Sequence, residues 1–547
     1  MHSDASNLLA MCKLLLKTAF FRVFIVWFLV PLSVGVVGCL SGPTWTQIQR
    51  GDLHSCIVLL GLIPNSFCLA LLIGSLVCFL RKWAFLFILP AMTFAFLLDF
   101  AGLYAGIKYR MNISGDWILL LQNTSKEELA RFFLMDFGAM GAVLVVISIA
   151  LIVVASVWMV KGEVLRSGRG LMIGFCCWIP FVVLRILHPV ELCEFTRYIN
   201  YVKDTRGALR TSGRIISICK NPQMPKGLRL ACSKEDLPVL LFVIGESSSR
   251  RDWHLYGYPR ETTPFMDALC GNHELIVFRD VVGAASSTAR AIPALLLDGK
   301  IDLENSDTCN FPAVLKEAGY RCVLVSNQMP TVGDAILRSI FNGCEKMIKA
   351  RGPDEPFDAV LLPYVRDELR KSKRPLAIFV HMVGSHNPVL DVYPNEWEKW
   401  RPDDDDSCVV GYSANRRAMC NRYDNSIRYS DYILNSLVGM LKEVEGKTCM
   451  FYISDHGETP HAGRWRDTMD KALYEVPMIV WFSPEYRKRF HETEERFRAA
   501  SAKSLQMDEL FHGLLELAQV RCQSEGFTSD KFVPRKNRLI NDGKSRY

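Results

Sequence analysis

The sequence predicts a membrane-embedded α-helical domain of five spans, followed by a separate, exported α/β domain. Two observations support this division. The first 190 of the 547 residues hold long apolar runs, whereas shorter apolar runs alternate with helical patterns from residue 236 onward. The length also exceeds that of one typical domain. We therefore expect a transmembrane domain at 1–190, a connector at 191–235 and a soluble-type domain at 236–547.

Five apolar segments are near or above the roughly 20 residues that a helix needs to span a bilayer. They lie at 18–40, 55–80, 83–106, 132–160 and 170–190. Basic clusters precede the first segment and separate the second from the third and the fourth from the fifth, which places those positions on the cytoplasmic side. The loop 107–131 and the C-terminal domain are then exported. A cleaved signal peptide explains the pattern less well because further apolar segments follow. A lipoprotein box at Cys39 is also disfavoured, because small residues before a cysteine are common in membrane helices.

The net charge of +7 is compatible with a nucleic-acid partner or an anionic surface. Much of this basic charge flanks the apolar segments, and no basic patch is interleaved with aromatic residues. Membrane topology explains the charge more economically, so we predict no nucleic-acid partner.

The cysteines show no CxxC spacing of the kind that binds zinc. Ten of the eighteen fall in the exported part, where an oxidising compartment favours disulfides. Cys408 and Cys420 flank a polar loop and form the preferred pair. Cys309 with Cys322 is a second, weaker pair.

Strand and helix patterns alternate in the C-terminal domain. Apolar strand candidates lie at 237–245, 275–282, 321–326, 376–382, 449–454 and 476–482. Helical candidates lie at 309–319, 357–371, 412–443 and 505–520. This alternation predicts a largely parallel sheet covered by helices on both faces. Ligands of such sheets bind beyond the carboxyl ends of the strands.

Acidic and imidazole side chains follow two of the predicted strands. Glu246 comes directly after the first strand, and the pair Asp455-His456 follows the fifth. Each alone is more commonly a helix cap or a hydrogen-bonded side chain. Together they predict one metal site assembled from distant parts of the chain, and their mixed oxygen and nitrogen ligands suit zinc.

Two further strand ends carry groups that fit such a site. Ser286, Ser287 and Thr288 offer hydroxyls at the mouth of a predicted helix, where anions bind readily. A hydroxyl there gains nucleophilicity if a metal lowers its pKa. His386 follows the fourth strand. The run Asp403–Asp406 could bind calcium, but it lacks the spacing and glycine of an EF-hand loop, so a solvated loop is the favoured interpretation.

Several motifs resemble the signature of bacterial inner-membrane phosphoethanolamine transferases, which belong to the alkaline phosphatase/sulfatase superfamily. The matching segments, in chain order, are Gly245-Glu246-Ser247-Ser248-Ser249-Arg250, Tyr256-Gly257-Tyr258-Pro259-Arg260, Ser286-Ser287-Thr288-Ala289 with Pro293, Gly384-Ser385-His386, Tyr423-Asp424-Asn425-Ser426-Ile427 and Ser454-Asp455-His456-Gly457-Glu458. Five amino-terminal spans ahead of an exported domain also fit this family.

The resemblance implies an α/β domain of alkaline phosphatase/sulfatase type that works with zinc. A hydroxyl attacks the phosphodiester of phosphatidylethanolamine, diacylglycerol leaves, and the phosphoethanolamine-enzyme passes its group to lipid A, a lipopolysaccharide core sugar or another glycan. The matching motifs imply that Glu246, Asp455 and His456 hold the zinc together with Ser286, the implied nucleophile. Ser287 and Thr288 remain competing hydroxyls.

The same resemblance assigns substrate contacts and a location. His386 resembles a family histidine that contacts the phosphoryl group or a second zinc, and His461 matches the second family histidine, which we also expect to bind substrate. Thr124 and Glu128 in the loop 107–131 match positions that help bind the ethanolamine head group. It implies a multi-pass protein of the bacterial inner membrane with its catalytic domain in the periplasm. We expect a monomer.

Some positions depart from the family pattern. Leu120 stands where lipid-A-modifying members have an asparagine, the family's usual lysine is not found after Ser326-Asn327-Gln328, and Ala284 replaces a cysteine that often precedes the nucleophile. These differences resemble the branch that acts on core sugars or other glycans. Two other interpretations stay open: a phosphate or sulfate ester hydrolase of the same fold, and an inactive membrane scaffold. The formylglycine motif of sulfatases is absent around Ser286, which argues against a sulfatase. The site residues Glu246, Ser286, Asp455 and His456 are all retained, which argues against an inactive scaffold.

Overall fold

The structure is a computed structural model that describes residues 194–521, apart from 226, 299–307, 329–334, 351–355, 372–374, 387–388, 390–391, 413 and 461–469. The chain divides into two compact units, Met1–Ala208 and Leu209–Tyr547. The five predicted spans, the loop 107–131 and His461 lie outside the described residues. Among the helices that are described, none combines the length and the apolar character needed to cross a bilayer.

Strands and helices alternate along the described chain. The strands are β1 (Arg229–Leu230), β2 (Val239–Gly245), β3 (Leu275–Phe278), β4 (Asp280–Val282), β5 (Arg321–Ser326), β6 (Lys346–Lys349), β7 (Leu376–His381), β8 (Thr448–Ser454), β9 (Met478–Phe482), β10 (Ser504–Gln506) and β11 (Val520–Arg521). The α-helices are α1 (Glu194–Lys220), α2 (Pro264–Gly271), α3 (Thr288–Leu296), α4 (Phe311–Glu317), α5 (Ala335–Ile340), α6 (Leu361–Lys371), α7 (Ala414–Lys442), α8 (Pro484–Arg489), α9 (His491–Ser501) and α10 (Phe511–Leu517).

Seven strands form the central sheet, in the order β3-β9-β8-β2-β7-β5-β6. Neighbours from β8 to β6 pair in parallel, whereas β9 is antiparallel to both β8 and β3. The prediction of a largely parallel α/β sheet is therefore confirmed for this domain. Because β2 lies between β7 and β8, the carboxyl ends of these three strands meet at one edge of the sheet.

The sheet is covered on both faces, as the continuous apolar strands require. Along β2, Leu240, Phe242 and Ile244 belong to a core packed against α3, α4, α5, α9 and α10. The alternate residues Leu241 and Val243 belong to a second core packed against α2, α6 and α7. Side chains of a strand point alternately to its two faces, so one buried strand supplies both cores. These cores fix the strand ends that carry the site.

Two predicted elements differ in the structure. The strand expected at 275–282 is broken at Arg279 into β3 and β4, because β3 joins the central sheet while β4 pairs in parallel with β10. The helix expected at 505–520 is shorter, since β10 precedes it and β11 follows it. The connector expected at 191–235 contains α1, whose residues Ile215 and Cys219 are buried in the first core.

The predicted disulfides are wrong in the structure. The nine cysteines of the described residues are all free, including Cys408, Cys420 and Cys309. The Cys322 thiol instead lies 3.6 Å from the carbonyl oxygen of Pro312. Burial raises the pKa of the Cys322 thiol to about 12. It therefore behaves as a small core residue rather than a reactive thiol.

Arg260 ties the aspartate run to helix α7. It is 5% exposed and donates to both carboxylate oxygens of Asp406, at 3.0 and 2.9 Å, and to Oδ2 of Asp424 at 2.6 Å. Asp405 pairs with Arg417 at 2.7 Å. These two acids of the run are thus paired with arginines of the chain itself, which agrees with a structural loop rather than a calcium site.

We expect Arg260→Met to lower the free energy of unfolding by about 3–5 kcal/mol, because it leaves the fully buried Asp424 without its cation. Burial and Asp252 already raise the pKa of Asp424 to about 7. Chemical denaturation of the purified chain measures the loss. As control, Lys371→Met removes an exposed helical pair with Asp367 and should cost under about 1 kcal/mol. Similar losses for both variants would contradict the prediction.

Candidate active site

The two acids of the predicted metal site end neighbouring parallel strands at the same level. Gly245 of β2 is opposite Ser454 of β8, so the next residues, Glu246 and Asp455, lie side by side. Both are 1% exposed. Ligand atoms of Glu246, Asp455 and His456 all lie within 4.8 Å of one another. The structure therefore brings together the three residues that sequence reasoning proposed as metal ligands.

Ser247 follows Glu246 in a backbone conformation that side chains rarely adopt, with φ of +54°. Its N–H donates to Oδ1 of Asp455 at 3.1 Å, and its hydroxyl donates to Oε1 of Glu246 at 2.7 Å. A strained residue of this kind persists only where its surroundings over-determine it. Ser247 thus links the two carboxylates and fixes the turn after β2.

The next two residues are also held by hydrogen bonds to other elements. The N–H of Ser248 donates to Oγ of Ser454 at 2.9 Å, and the N–H of Ser249 donates to the Tyr423 hydroxyl at 2.8 Å. The Trp253 indole donates to Oγ of Ser248 at 2.7 Å. These bonds satisfy backbone groups that burial would otherwise leave unpaired. The serines after Glu246 therefore build a rigid turn rather than supply a nucleophile.

The imidazole of His456 is oriented by its own turn. Nδ1 lies 2.8 Å from the carbonyl oxygen of Gly457, so Nδ1 carries the proton that it donates. Nε2 faces the acids, at 3.3 Å from Oε1 of Glu246 and 3.5 Å from Oδ2 of Asp455. An imidazole that is anchored through one nitrogen and faces carboxylates with the other has the arrangement of a metal ligand.

Burial and mutual charge shift the pKa values of all three groups. Burial opposes ionisation of Glu246, but hydrogen bonding to His456 and its charge hold the pKa of Glu246 well below its usual range. Burial and the Glu246 charge raise the pKa of Asp455 to about 7, against opposing contributions from His456 and Thr288. Burial would lower the pKa of His456, but the charge of Asp455 and contacts to Glu246 raise it to about 10.

The donor set fits a divalent cation. Oδ2 of Asp455 is buried and accepts no hydrogen bond from the described residues. A buried carboxylate oxygen without a donor is costly unless an ion or proton compensates it. Two carboxylates and one imidazole nitrogen are ligands that zinc accepts, with a fourth position left for a reacting group.

One hydroxyl of the predicted nucleophile segment reaches the acids. Oγ1 of Thr288 donates to Oε2 of Glu246 at 3.0 Å. Thr288 is the first residue of α3, after Ser287 at its N-cap. Ser286 is partly buried, and we find no hydrogen bond from it to Glu246, Asp455 or any other residue that the structure describes. Ser286 remains a prediction as the nucleophile, while Thr288 is the hydroxyl at the cluster.

Asp358 is a buried acid that sequence reasoning did not single out. It is 1% exposed and accepts hydrogen bonds from the N–H groups of Val383 and Gly384, each at 2.8 Å, and from Nδ2 of Asn327 at 2.9 Å. In the sequence, Asp358 is an acid at the start of a helical segment, and such an acid by itself indicates only a helix cap. Its role follows from contacts that no local pattern indicates: it fixes the loop after β7.

That loop packs directly against Glu246 and carries His386. Gly384 has φ of +52°, and a Cβ at this position would lie 2.9 Å from the Glu246 carbonyl oxygen. The N–H of Ser385 donates to the same oxygen at 3.0 Å. The N–H of His386 donates to the carbonyl oxygen of Val383 at 3.1 Å, so His386 belongs to the same turn. His461, Thr124 and Glu128 lie outside the described residues.

Comparison with known proteins identifies the domain. A family model described as Sulfatase matches residues 238–520, just over half of the chain. The chain belongs to the sulfatase family. The matched range includes β2 to β9 and therefore every described residue of the candidate site.

Within the sulfatase family, named relatives agree with the predicted resemblance. The chain is 26% identical over 318 residues to the phosphoethanolamine transferase EptA of Salmonella typhimurium, covering 55% of this chain and 56% of the relative. The chain thus spans about half the length of the curated relatives it matches. These relatives carry the name that the sequence motifs predicted.

Solved structures support the same fold. The C-terminal periplasmic domain of Escherichia coli EptC, in complex with Zn, has a TM-score of 0.50 and 25% identity, covering 55% of this chain and 87% of that chain. The integral membrane lipooligosaccharide phosphoethanolamine transferase A of Neisseria meningitidis has a TM-score of 0.66 and 17% identity, covering 92% and 95%. The alkaline phosphatase/sulfatase fold predicted for the C-terminal domain is confirmed.

Proposed function

We propose that this chain is a zinc-dependent phosphoethanolamine transferase. It would take its group from phosphatidylethanolamine and pass it to lipid A, a lipopolysaccharide core sugar or another cell-envelope glycan through a covalent intermediate. One observation carries the proposal: the Thr288 hydroxyl donates to Glu246 within a buried cluster of two acids and an imidazole. The name of EptA supports the transferred group, and the zinc complex of the EptC domain supports the metal.

The reaction would proceed in two successive displacements at phosphorus. The hydroxyl oxygen of the enzyme attacks phosphorus, the bond from phosphorus to the diacylglycerol oxygen breaks, and that oxygen takes up the proton which the hydroxyl loses. A hydroxyl of the acceptor then attacks the phosphoenzyme, forms the new phosphodiester and returns a proton to the enzyme oxygen. The enzyme residue is thereby regenerated.

The residues of the chain prepare the first displacement. Glu246 accepts the hydrogen bond of Thr288 and so directs the lone pairs of the hydroxyl away from the carboxylate. Glu246, Asp455 and His456 would hold the zinc, which when bound would lower the pKa of the attacking hydroxyl and neutralise charge at phosphorus. Thr288 is the nucleophile that we favour, and Ser286 remains the alternative.

Further residues would bind the substrates. His386, in the loop after β7, and His461 would contact the phosphoryl group, and Thr124 and Glu128 would contact the ethanolamine head group. We propose a monomeric, multi-pass protein of the bacterial inner membrane, with the division at 1–190, 191–235 and 236–547 and with the catalytic domain in the periplasm. The substrate lipid then lies in the same membrane as the enzyme.

Two measurements test this function. The purified full-length chain in proteoliposomes with a fluorescent phosphatidylethanolamine should release fluorescent diacylglycerol, and a chelator should stop the release until zinc is restored. Mass spectrometry of cell-envelope glycolipids with and without the gene should find a zinc-dependent added phosphoethanolamine. Free phosphoethanolamine without a modified acceptor would instead indicate a hydrolase. Absence of both turnover and zinc binding would indicate a scaffold.

A further inference from the structure

Gln328 makes a direct contact with the candidate metal site. Its Nε2 donates to Oε2 of Glu246 at 2.8 Å and to the carbonyl oxygen of Met382 at 2.8 Å. Both neighbours are acceptors, so the side-chain nitrogen, not the oxygen, must face them. The amide is therefore held at both of its N–H groups and has one defined orientation.

The backbone that carries Gln328 is anchored to the same edge of the sheet. The N–H of Asn327 donates to the carbonyl oxygen of His381, and its side chain donates to Asp358 at 2.9 Å. The Ser326 hydroxyl donates to the carbonyl oxygen of Gln328 itself. Gln328 thus reaches Glu246 from the fixed end of β5, two strands away from β2.

The contact controls how the Glu246 carboxylate is turned. Oε2 accepts from Gln328 and Thr288, while Oε1 accepts from Ser247 and faces His456. Rotation about the last torsion of a glutamate is soft, so neighbours rather than the side chain itself set its angle. Without Gln328, Thr288 is the only hydrogen-bond donor to Oε2 among the described residues, and the proposed reaction uses Thr288 itself.

We propose that Gln328 is a positioning residue that holds Glu246 in its metal-binding orientation. The inference rests on the proposed function, because it concerns the zinc that Glu246 would bind. Partners that orient a metal ligand typically contribute about 10–100-fold to metal affinity. Gln328→Met keeps the length of the side chain and removes both donors, so we expect zinc affinity to fall by about 10–100-fold.

The zinc affinity of the purified full-length chain is measured by competition with a chromogenic chelator, which needs no turnover. Gln328→Asn is a second variant: it keeps the amide but shortens its reach, and zinc affinity should fall again. The matched control is Gln519→Met. Nε2 of Gln519 also donates to buried groups, at 3.3 Å to Tyr486 and 3.2 Å to Thr493, but away from the site. This control should lower the melting temperature and leave zinc affinity unchanged.

The outcomes separate the two proposals. If Glu246→Gln loses zinc while both Gln328 variants bind it like the wild type, the positioning role is overturned and the proposed metal stands. If the wild-type chain binds no zinc, the metal of the proposed function and this inference are both overturned. Equal losses of zinc affinity in the Gln328 variants and in Gln519→Met would assign the effect to general destabilisation and would also overturn the positioning role.

Discussion

Thr288→Ala is expected to abolish phosphoethanolamine transfer, whereas Ser286→Ala is expected to retain most of it. The Thr288 hydroxyl is 3.0 Å from Oε2 of Glu246, and the described contacts give Ser286 no such link. Loss of a covalent nucleophile removes the intermediate itself, so we expect transfer to fall by at least about 1,000-fold. Removal of a neighbouring hydroxyl that does not react should cost less than about tenfold.

The assay is release of fluorescent diacylglycerol by the purified variants in proteoliposomes. Trapping of labelled phosphoethanolamine on the protein, followed by mass spectrometry, identifies the modified residue. Zinc affinity and melting temperature serve as controls, since both variants should fold. If Ser286 carries the label and Thr288→Ala keeps its activity, Ser286 is the nucleophile, as the sequence predicted. The assignment of Thr288, which the structure favours, would then be refuted.

Glu246→Gln is expected to remove most of the zinc. The substitution keeps the shape of the side chain but replaces a charged ligand by a neutral amide beside His456, whose Nε2 lies 3.3 Å from Oε1. Because a ligand contributes more than the partner that orients it, we expect zinc affinity to fall by more than about 100-fold. Transfer should fall with it.

Metal content after purification and chelator competition measure this loss. The matched control is Glu475→Gln, which removes a carboxylate that pairs with Arg251 outside the cluster. That variant should keep its zinc. Full zinc occupancy in Glu246→Gln would show that the metal is held elsewhere, and the metal-site assignment would fail.

Part of this site could be predicted because its signals are local. Glu246 and Asp455 follow unbroken apolar runs, and parallel strands in one sheet bring their carboxyl ends together whatever the intervening sequence. The choice among Ser286, Ser287 and Thr288 is different. It depends on the residue at which α3 begins, and helix boundaries are uncertain by one or two residues even when the helix itself is clear.

Other parts could not be predicted because their contacts are long-range. Asp358 looks like an acid at the start of a helix, and Gln328 looks like a polar residue in a loop. Their partners, Gly384 and Glu246, lie in the loops that follow β7 and β2. Likewise, the break at Arg279 depends on a strand near residue 505 that pairs with β4, a pairing that no pattern around 275–282 reveals.

The in-register pairing of β2 with β8 has a consequence for the order of folding. Ser247 and Asp455 are 208 residues apart along the chain, yet they share a hydrogen bond. Contacts of such sequence separation close large loops and form late and slowly. The cluster exists only after the centre of the sheet has assembled, so metal uptake should report completed folding. Zinc should then protect native molecules from proteolysis. It should not accelerate the collapse of the unfolded chain, which precedes formation of the site.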